Sequence, residues 1–310
     1  MTAEEADGFL IEAVRRGDPQ AWQQVIDRYQ GRLLSFARRM LAERSEAEDV
    51  VQDTFVGLLR SLPNFDPTRS LETYLFAILR NKLHDYLRRR RMGRRQSLEE
   101  LDLDDAPHDW LDTETPSRHL AEVERVESQR AALVECLRRW VSQTVEQGRF
   151  QDLIVVEMLL VLGMRNKEVA ADLGLSETAV AGIKFRVLEQ WRRLTAAAAQ
   201  SADWTEADLA RDSTLGRIWR EEGISCPKRS TLGRFLLGVL DEPWQTYVDF
   251  HVRQAGCDRC NANLDDLQSE DPADVAARER LRERCFASSV GFLSRVPTAE
   301  EPQPPTGVGS

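Results

Sequence analysis

The chain has 310 residues, of which 42% are hydrophobic, 30% are charged and 7% are aromatic. This length allows two or three domains with real cores, and the composition favours helical modules over a β-sandwich. No apolar run of about 18 residues occurs and the N-terminus is acidic and polar, so we expect neither a membrane span nor a secretory signal. The five cysteines are sparse and odd in number, which argues against a disulfide framework and for a reducing cytoplasm.

The formal net charge of -10 is unfavourable for nucleic-acid binding as an average, but the charge is segregated along the chain. Six arginines lie within Arg88–Arg95, whereas Gln96–Thr115 contains eight acidic residues and neither lysine nor arginine. Electrostatics must therefore be judged locally. The arginine block predicts contact with nucleic-acid phosphates, although a solvated helix end would also carry cations there.

Four helices are predicted in the first part of the chain, because apolar residues recur there with a period near 3.6. They cover about 6–16, 19–42, a third segment from Ser45, and 71–91. Ser45 followed by Glu48 predicts a capping box at the start of the third helix. This third helix has an acidic and amide face.

The fourth predicted helix combines aromatic residues with Asn81, ahead of the arginine block. Tyr74, Phe76 and Tyr86 lie on this helix, and aromatic rings beside Asn and Arg can stack on and hydrogen-bond an unpaired base. The alternative interpretation is that Tyr74 and Phe76 belong to the core.

The segment Asn166–Arg193 has the pattern of a helix-turn-helix motif. A short helix ends at Gly174, which supplies the turn, and Ser176 is placed to cap a second helix. Three apolar residues of that helix are predicted to face inward, namely Val180, Ile183 and Val187. Six residues are predicted to face a major groove: Glu177, Thr178, Ala181, Lys184, Phe185 and Arg186. An ordinary pair of antiparallel helices is the alternative.

Three cysteines and one histidine follow with the spacing Cys-x24-His-x5-Cys-x2-Cys. They are Cys226, His251, Cys257 and Cys260. The Cys-x2-Cys pair places two thiolates on one tight turn, and one His with three Cys makes a closed structural zinc site without a position for water. The alternative is a set of packed thiols and a surface histidine. Cys136 and Cys285 fit no cluster and are predicted to be plain apolar residues.

We therefore expect an all-α protein with two small helical domains joined by an acidic linker, plus a small helical C-terminal unit. The expected segments are a first domain at 6–95, the linker at 96–119, the helix-turn-helix domain at 120–195, the zinc-binding unit at 203–268, and a charged helix with a disordered tail at 269–310.

Taken together, these motifs resemble the extracytoplasmic-function (ECF) class of bacterial RNA polymerase sigma factors. Residues 47–55 look like region 2.2 of that family. Residues 74–81, with Asp85 and Arg88, look like regions 2.3 and 2.4, and the helix-turn-helix looks like region 4.2. The resemblance covers about residues 8–195.

The resemblance implies core RNA polymerase and promoter DNA as partners. Asp49, Gln52 and Asp53 would dock on the clamp helices of the β′ subunit, region 4 would contact the β flap, and the acidic linker would enter the polymerase channel that later carries RNA. The helix from Glu177 would read the -35 element. The -10 element would be bound by Asn64, Ser70, Tyr74, Asn81, Arg88, Arg89, Arg90 and Arg91.

The chain departs from the family in two places and adds an extension. Tyr74 stands where Trp is usual, which puts the base preference in doubt, and Ala181 and Ile183 stand where basic residues are common. The C-terminal unit resembles a zinc-binding anti-sigma domain, with five residues rather than three between His251 and the Cys-x2-Cys pair. We expect it to regulate the protein in cis, and a separate anti-sigma factor is a further candidate partner.

No catalytic motif is evident, because the four histidines lack a nucleophile context and no Gly-rich phosphate loop is present. We expect a non-enzymatic, cytoplasmic sigma factor. One alternative is a helix-turn-helix regulator that acts without polymerase, for which the Asp49, Gln52 and Asp53 face would be solvated surface. Another is a zinc hydrolase, which would need an open coordination position.

Overall fold

The computed structural model describes residues 3–65, 70–96, 116–197, 209, 213–269 and 272–293. Over these ranges the chain forms α-helices and no strand, which confirms the all-α class. Most of the predicted acidic linker and the tail beyond 293 lie outside the described residues. No described helix is both long enough and apolar enough to cross a membrane. The helices are α1 (Ala3–Arg15), α2 (Pro19–Met40), α3 (Arg44–Ser61), α4 (Leu71–Gln96), α5 (Pro116–Glu146), α6 (Phe150–Leu160), α7 (Asn166–Leu173), α8 (Glu177–Ala197), α9 (Thr214–Glu222), α10 (Arg229–Leu236), α11 (Glu242–Asp249), α12 (Asp258–Gln268) and α13 (Pro272–Leu293).

The chain divides into two compact units. Unit one contains residues 1–93 and 265–310, and unit two contains residues 94–264. Unit one therefore combines the first four helices with the C-terminal helix α13. Unit two holds both the helix-turn-helix segment and the Cys/His segment. The domain boundaries expected from the sequence stay predictions.

Unit one is built around the apolar faces of α2, α3 and α4. Trp22 and Phe55 are fully buried and meet edge to face, with ring centroids 5.9 Å apart. Asp18 caps α2 by accepting from two backbone N–H groups of its first turn, a common way to satisfy the unpaired donors of a helix start. The predicted capping box at Ser45 is wrong, since Glu43 occupies the N-cap of α3 and makes no side-chain cap bond.

Unit two has a tryptophan cluster at its centre. Trp140 of α5 lies 5.5 Å from Trp191 of α8 and 6.0 Å from Trp219 of α9, measured between ring centroids. All three side chains are 1% exposed. Buried aromatics of this size carry much of a core's stability. The helix-turn-helix segment thus shares its core with residues beyond 203.

Candidate metal centre and nucleic-acid interface

The four predicted metal ligands meet in unit two. Cys226 lies in the loop after α9, and His251 lies in the π-helical turn Phe250–Gln254 that continues α11. Cys257 directly precedes α12, and Cys260 lies in the first turn of that helix. Their ligand atoms all lie within 4.8 Å of one another. Gly223 has a φ of +58°, and a Cβ there would lie 3.0 Å from the Cys226 sulfur. A side chain at position 223 would therefore be strained by this φ and would crowd both Arg259 and Cys226.

Glu157 of α6 contacts the ring nitrogen of His251 that faces away from the cysteines. The Nδ1 of His251 lies 2.8 Å from the Glu157 carboxylate, and both side chains are buried. The Tyr247 hydroxyl lies 2.6 Å from the same carboxylate and 2.6 Å from the carbonyl of Ser225. His251 Nε2 is buried and has no hydrogen-bond partner.

This arrangement fits a metal ligand. A ligating histidine commonly donates one ring N–H to a carboxylate, which fixes the tautomer and leaves the other nitrogen for the metal. Three sulfurs and that Nε2 form a closed set of the type preferred by structural zinc. The donor chemistry therefore agrees with the predicted ligand set.

Hydrogen bonding within the group raises the pKa values of the Cys226 and Cys260 thiols and favours a thiolate at Cys257. Hydrogen bonds from Cys226 and Cys260 lower the pKa of Cys257 well below its ordinary value. Burial opposes a charged imidazole, but the charges of Glu157 and Cys257 outweigh it and raise the pKa of His251 well above its ordinary value. Because the thiolate is the form that binds metal, Cys257 is already disposed to act as a ligand.

The acidic face of α3 lies in unit one. Asp49 and Asp53 are exposed and Gln52 is half-buried. A guanidinium from α13 reaches this face: Arg284 lies 2.7 Å from the carboxylate of Asp49 and 3.3 Å from the amide oxygen of Gln52. It also lies 3.0 Å from the carboxylate of Glu48. The structure thus groups two of the three predicted polymerase-binding residues with a residue of the C-terminal helix.

The aromatic residues predicted on α4 divide into core and surface. Phe76 is fully buried and packs edge to face on Phe36, so for this residue the core interpretation is correct. Tyr74 is half-buried, and its ring lies 5.0 Å from that of Phe65. Asn81 is exposed. Tyr74 can therefore still offer part of a ring on the surface that also carries an amide.

The arginines at the end of α4 are exposed from Arg88 to Arg90. Arg88 lies 3.5 Å from Asp85 in the preceding turn, and Arg90 lies 3.0 Å from Glu46 of α3. Such exposed pairs are weak and can be exchanged for phosphate. Ser70 is half-buried at the start of α4, whereas the side chains of Asn64 and Arg91 lie outside the described residues.

The two helices, the glycine turn and the Ser176 cap predicted for this segment are present. Gly174 adopts a φ of +63°, and Ser176 Oγ accepts from the backbone N–H of Ala179 at 3.1 Å. The three predicted inward residues are at most 5% exposed. Five of the six predicted outward residues are exposed: Glu177, Thr178, Ala181, Phe185 and Arg186.

Lys184 does not face outward, so that prediction is wrong. It is 7% exposed and donates to the side chain of Asn166 at 3.2 Å. Lys184 follows Ile183 and lies four residues after Val180, which places it on the side of α8 that packs toward α7. Arg186 is exposed but pairs with Asp152 of α6 at 3.1 Å.

Two residues of these sites were missed by sequence reasoning. Glu157 is a single acid inside the apolar run Leu153–Leu160, and a buried acid in such a run is a signal that it has a polar partner elsewhere. Arg284 gives no comparable signal, because it is one of several charges on a charged helix. Only the fold brings it to α3.

Comparison with known proteins identifies relatives of this chain. Residues 25–92 match the Sigma-70 region 2 family. The chain is 33% identical over 182 residues to the RNA polymerase sigma factor CnrH of Cupriavidus metallidurans, covering 59% of this chain and 90% of the relative. It is 30% identical over 196 residues to the RNA polymerase sigma factor NccH of Alcaligenes xylosoxydans xylosoxydans, covering 63% and 96%.

A third relative is the ECF RNA polymerase sigma-E factor of Haemophilus influenzae, which is 29% identical over 133 residues, covering 41% of this chain and 69% of the relative. No solved structure gives a significant match. Each of these three alignments leaves more than a third of this chain unmatched.

Proposed function

This chain belongs to the ECF class of RNA polymerase sigma factors, and we propose that it binds core RNA polymerase, recognises promoter -35 and -10 elements and initiates transcription. The observation that carries the proposal is the family match at 25–92, which includes α3 with its acidic face and most of α4 with its aromatic and basic residues. The protein acts in the cytoplasm, and it has no catalytic step of its own.

Core polymerase binds through Asp49, Gln52 and Asp53, which dock on the β′ clamp helices, while region 4 contacts the β flap. The support from unit one is that α3 presents two exposed carboxylates and an amide on one face. Complementary charge of this kind steers association and selects the partner.

The -10 element binds to α4 and the loop before it. Tyr74 and Asn81 hold an unpaired base, together with Asn64 and Ser70, and Arg88–Arg91 contact phosphates. Melting needs no catalytic residue, because stacking and hydrogen bonding of the extruded base offset an unstacking cost of about a few kcal/mol.

The -35 element binds to the exposed side of α8. Glu177, Thr178, Ala181, Phe185 and Arg186 form this surface, and Lys184 instead supports the packing of α7 on α8. Because only Arg186 among the five is basic, apolar contacts carry more of the base recognition than in a strongly basic recognition helix.

The Cys226, His251, Cys257 and Cys260 set holds a structural zinc ion. When bound, the metal links the loop after α9, the end of α11 and the start of α12. A four-ligand set leaves no open position for water, which disfavours the zinc hydrolase alternative. The C-terminal extension regulates the sigma factor in cis, and a separate anti-sigma factor is a further candidate partner.

Direct binding to core polymerase separates this proposal from a plain helix-turn-helix regulator. The full-length chain is measured against core polymerase of its source organism, beside Asp53→Lys and the matched control Glu43→Lys, another exposed acid at the start of α3. Asp53→Lys is expected to weaken binding about tenfold or more, since charge reversal at an interface replaces attraction with repulsion. Equal binding by all three proteins, or no binding with specific duplex binding intact, would contradict the proposal.

Full-length protein is the right material for this test. Trp219, Trp244 and Tyr247 all pack on core residues of unit two that precede residue 200. A chain ending near residue 200 would expose that core, so lost activity would not reveal regulation.

A further inference from the structure

Helix α13 packs along α2 and α3 in unit one through one buried side. Trp22 Nε1 of α2 donates to Ser289 at 2.8 Å in a buried contact, and the Arg60 guanidinium of α3 lies 5.1 Å from the centre of the Phe292 ring. The buried side recurs every four residues, as expected for one face of a helix. Its members are Ala277, Leu281, Cys285, Ser289 and Leu293.

The segment just before α13 is attached to α2 as well. A Cβ added to Gly31 would collide with the carboxylate of Asp266, so glycine is needed for this close approach. Asp266 pairs with Arg278 at 3.2 Å, and Asp265 pairs with Arg39 at 2.8 Å. The approach of the C-terminal segment to α2 is therefore specific.

Arg284 extends this attachment to the acidic face of α3. Its guanidinium contacts Glu48, Asp49 and Gln52 at 2.7 to 3.3 Å. Its five N–H donors allow it to serve all three acceptors at once. Asp49 and Gln52 are assigned above to the binding of core polymerase.

We propose that α13 occupies the polymerase-binding face of α3 in the free protein and that core polymerase binds by displacing it, with Arg284 as the competing contact. This inference rests on the proposed function and assigns the regulation in cis to α13 rather than to the metal centre. The acceptors on this face of α3 are paired with Arg284. Those pairs must break before a basic surface of polymerase can bind the same acceptors. The apparent affinity for polymerase is then the intrinsic affinity reduced by the fraction of molecules in which the face is free.

The contacts that Arg284 makes from α13 are weak enough for polymerase to replace them. Asp49 and Arg284 have side chains 68% and 45% exposed, and exposed ion pairs contribute little to stability. The buried side of α13 combines Leu281 and Leu293 with a cysteine, a serine and an alanine, whose burial is less favourable than that of the leucines. The ion pairs of Arg284 can therefore open at little cost, whereas release of the buried side of α13 must be offset by the binding energy of polymerase.

The test uses Arg284→Glu in the full-length chain, with Arg280→Glu as the matched control. Arg280 is exposed on the same helix and has no ion pair within the described residues. Arg284→Glu places a carboxylate against Glu48 and Asp49, and it is expected to tighten the apparent dissociation constant for core polymerase about threefold to tenfold. Arg280→Glu is expected to match the natural chain.

Cys285 gives a second readout that does not depend on transcription. Its side chain is fully buried on the side of α13 that faces α2 and α3, and burial raises the pKa of its thiol to about 12. Alkylation by iodoacetamide, followed at Cys285 by peptide mass spectrometry, should be slow in the free chain. It should become faster in Arg284→Glu and when core polymerase is added to the natural chain.

The outcomes separate the two proposals. Equal binding by the natural chain and Arg284→Glu, or protection of Cys285 in the polymerase complex, would overturn displacement of α13 while leaving the sigma factor proposal intact. Failure of every variant to bind polymerase would overturn both. Thermal unfolding of each variant establishes that the folded state is retained.

Discussion

Replacement of Glu157 should weaken metal binding, and the structure predicts a smaller loss for Glu157→Gln than for Glu157→Leu. In Glu157→Gln the amide oxygen can still accept from His251 Nδ1, because Tyr247 can donate to the carbonyl of Ser225 instead. The substitution then removes mainly a negative charge. In Glu157→Leu the Tyr247 hydroxyl keeps the Ser225 carbonyl as acceptor, but His251 Nδ1 loses its acceptor in a buried site, so the cost is greater.

The size of the loss in metal affinity can be estimated from other sites in which a carboxylate supports a ligating histidine. Loss of a carboxylate behind a ligating histidine lowers metal affinity roughly 10–100-fold. We expect about tenfold for Glu157→Gln and about a hundredfold for Glu157→Leu, which correspond to about 1.4 and 2.7 kcal/mol. With free zinc in excess, the smaller loss should lower the melting temperature of a unit of this size by about 3–6 °C.

The assay is competition for zinc with a chromogenic chelator, combined with thermal unfolding at fixed free zinc. Glu146→Gln is the matched control, since it removes an exposed carboxylate from the same unit. Equal zinc affinity for all variants would refute the assignment of Glu157 as the partner that orients His251. A higher affinity in Glu157→Leu would refute it as well.

Three further predictions concern the rest of the molecule. Removal of zinc by a strong chelator should lower the melting temperature of the full chain, and an unchanged calorimetric trace would argue against a structural metal. Leu58→Ala, at a fully buried position of α3, should lower the free energy of unfolding by about 2–5 kcal/mol in urea titrations; a loss below about 1 kcal/mol would contradict the packing described. Arg89→Ala should reduce the slope of log K against log salt for promoter binding by about one, whereas an unchanged slope would remove Arg89 from the phosphate contacts.

Much of unit one follows from local sequence. The 3.6-residue period places the faces of α2 and α3, and Asp18 before Pro19 marks the start of α2. The start of α3 was predicted wrongly because a capping box needs a side-chain bond that the backbone geometry at Ser45 does not offer. Sequence spacing names the residues of a cap but does not fix the φ and ψ angles that form it.

The group of three cysteines and one histidine was predictable because the spacing of cysteine and histidine is tied directly to coordination chemistry. Glu157 was not predictable as the partner of His251. It lies 94 residues before the histidine, and the sequence does not show that the two residues meet. Lys184 was wrongly predicted to face outward. Successive residues of a helix are rotated by about 100°, so a residue at the edge of a face can point to either side. Arg284 meets Asp49 across 235 residues, a contact that only tertiary structure supplies.

Run-off transcription tests the central claim most directly. Purified core polymerase of the source organism is combined with the full-length chain and a library of promoter fragments from that organism, beside Asp53→Lys and Glu43→Lys. The account predicts transcripts with defined start sites that depend on the added chain, persist with Glu43→Lys and fall about tenfold or more with Asp53→Lys. The absence of such transcripts, while the chain still binds specific duplexes, would contradict a sigma factor and establish a regulator that acts without polymerase.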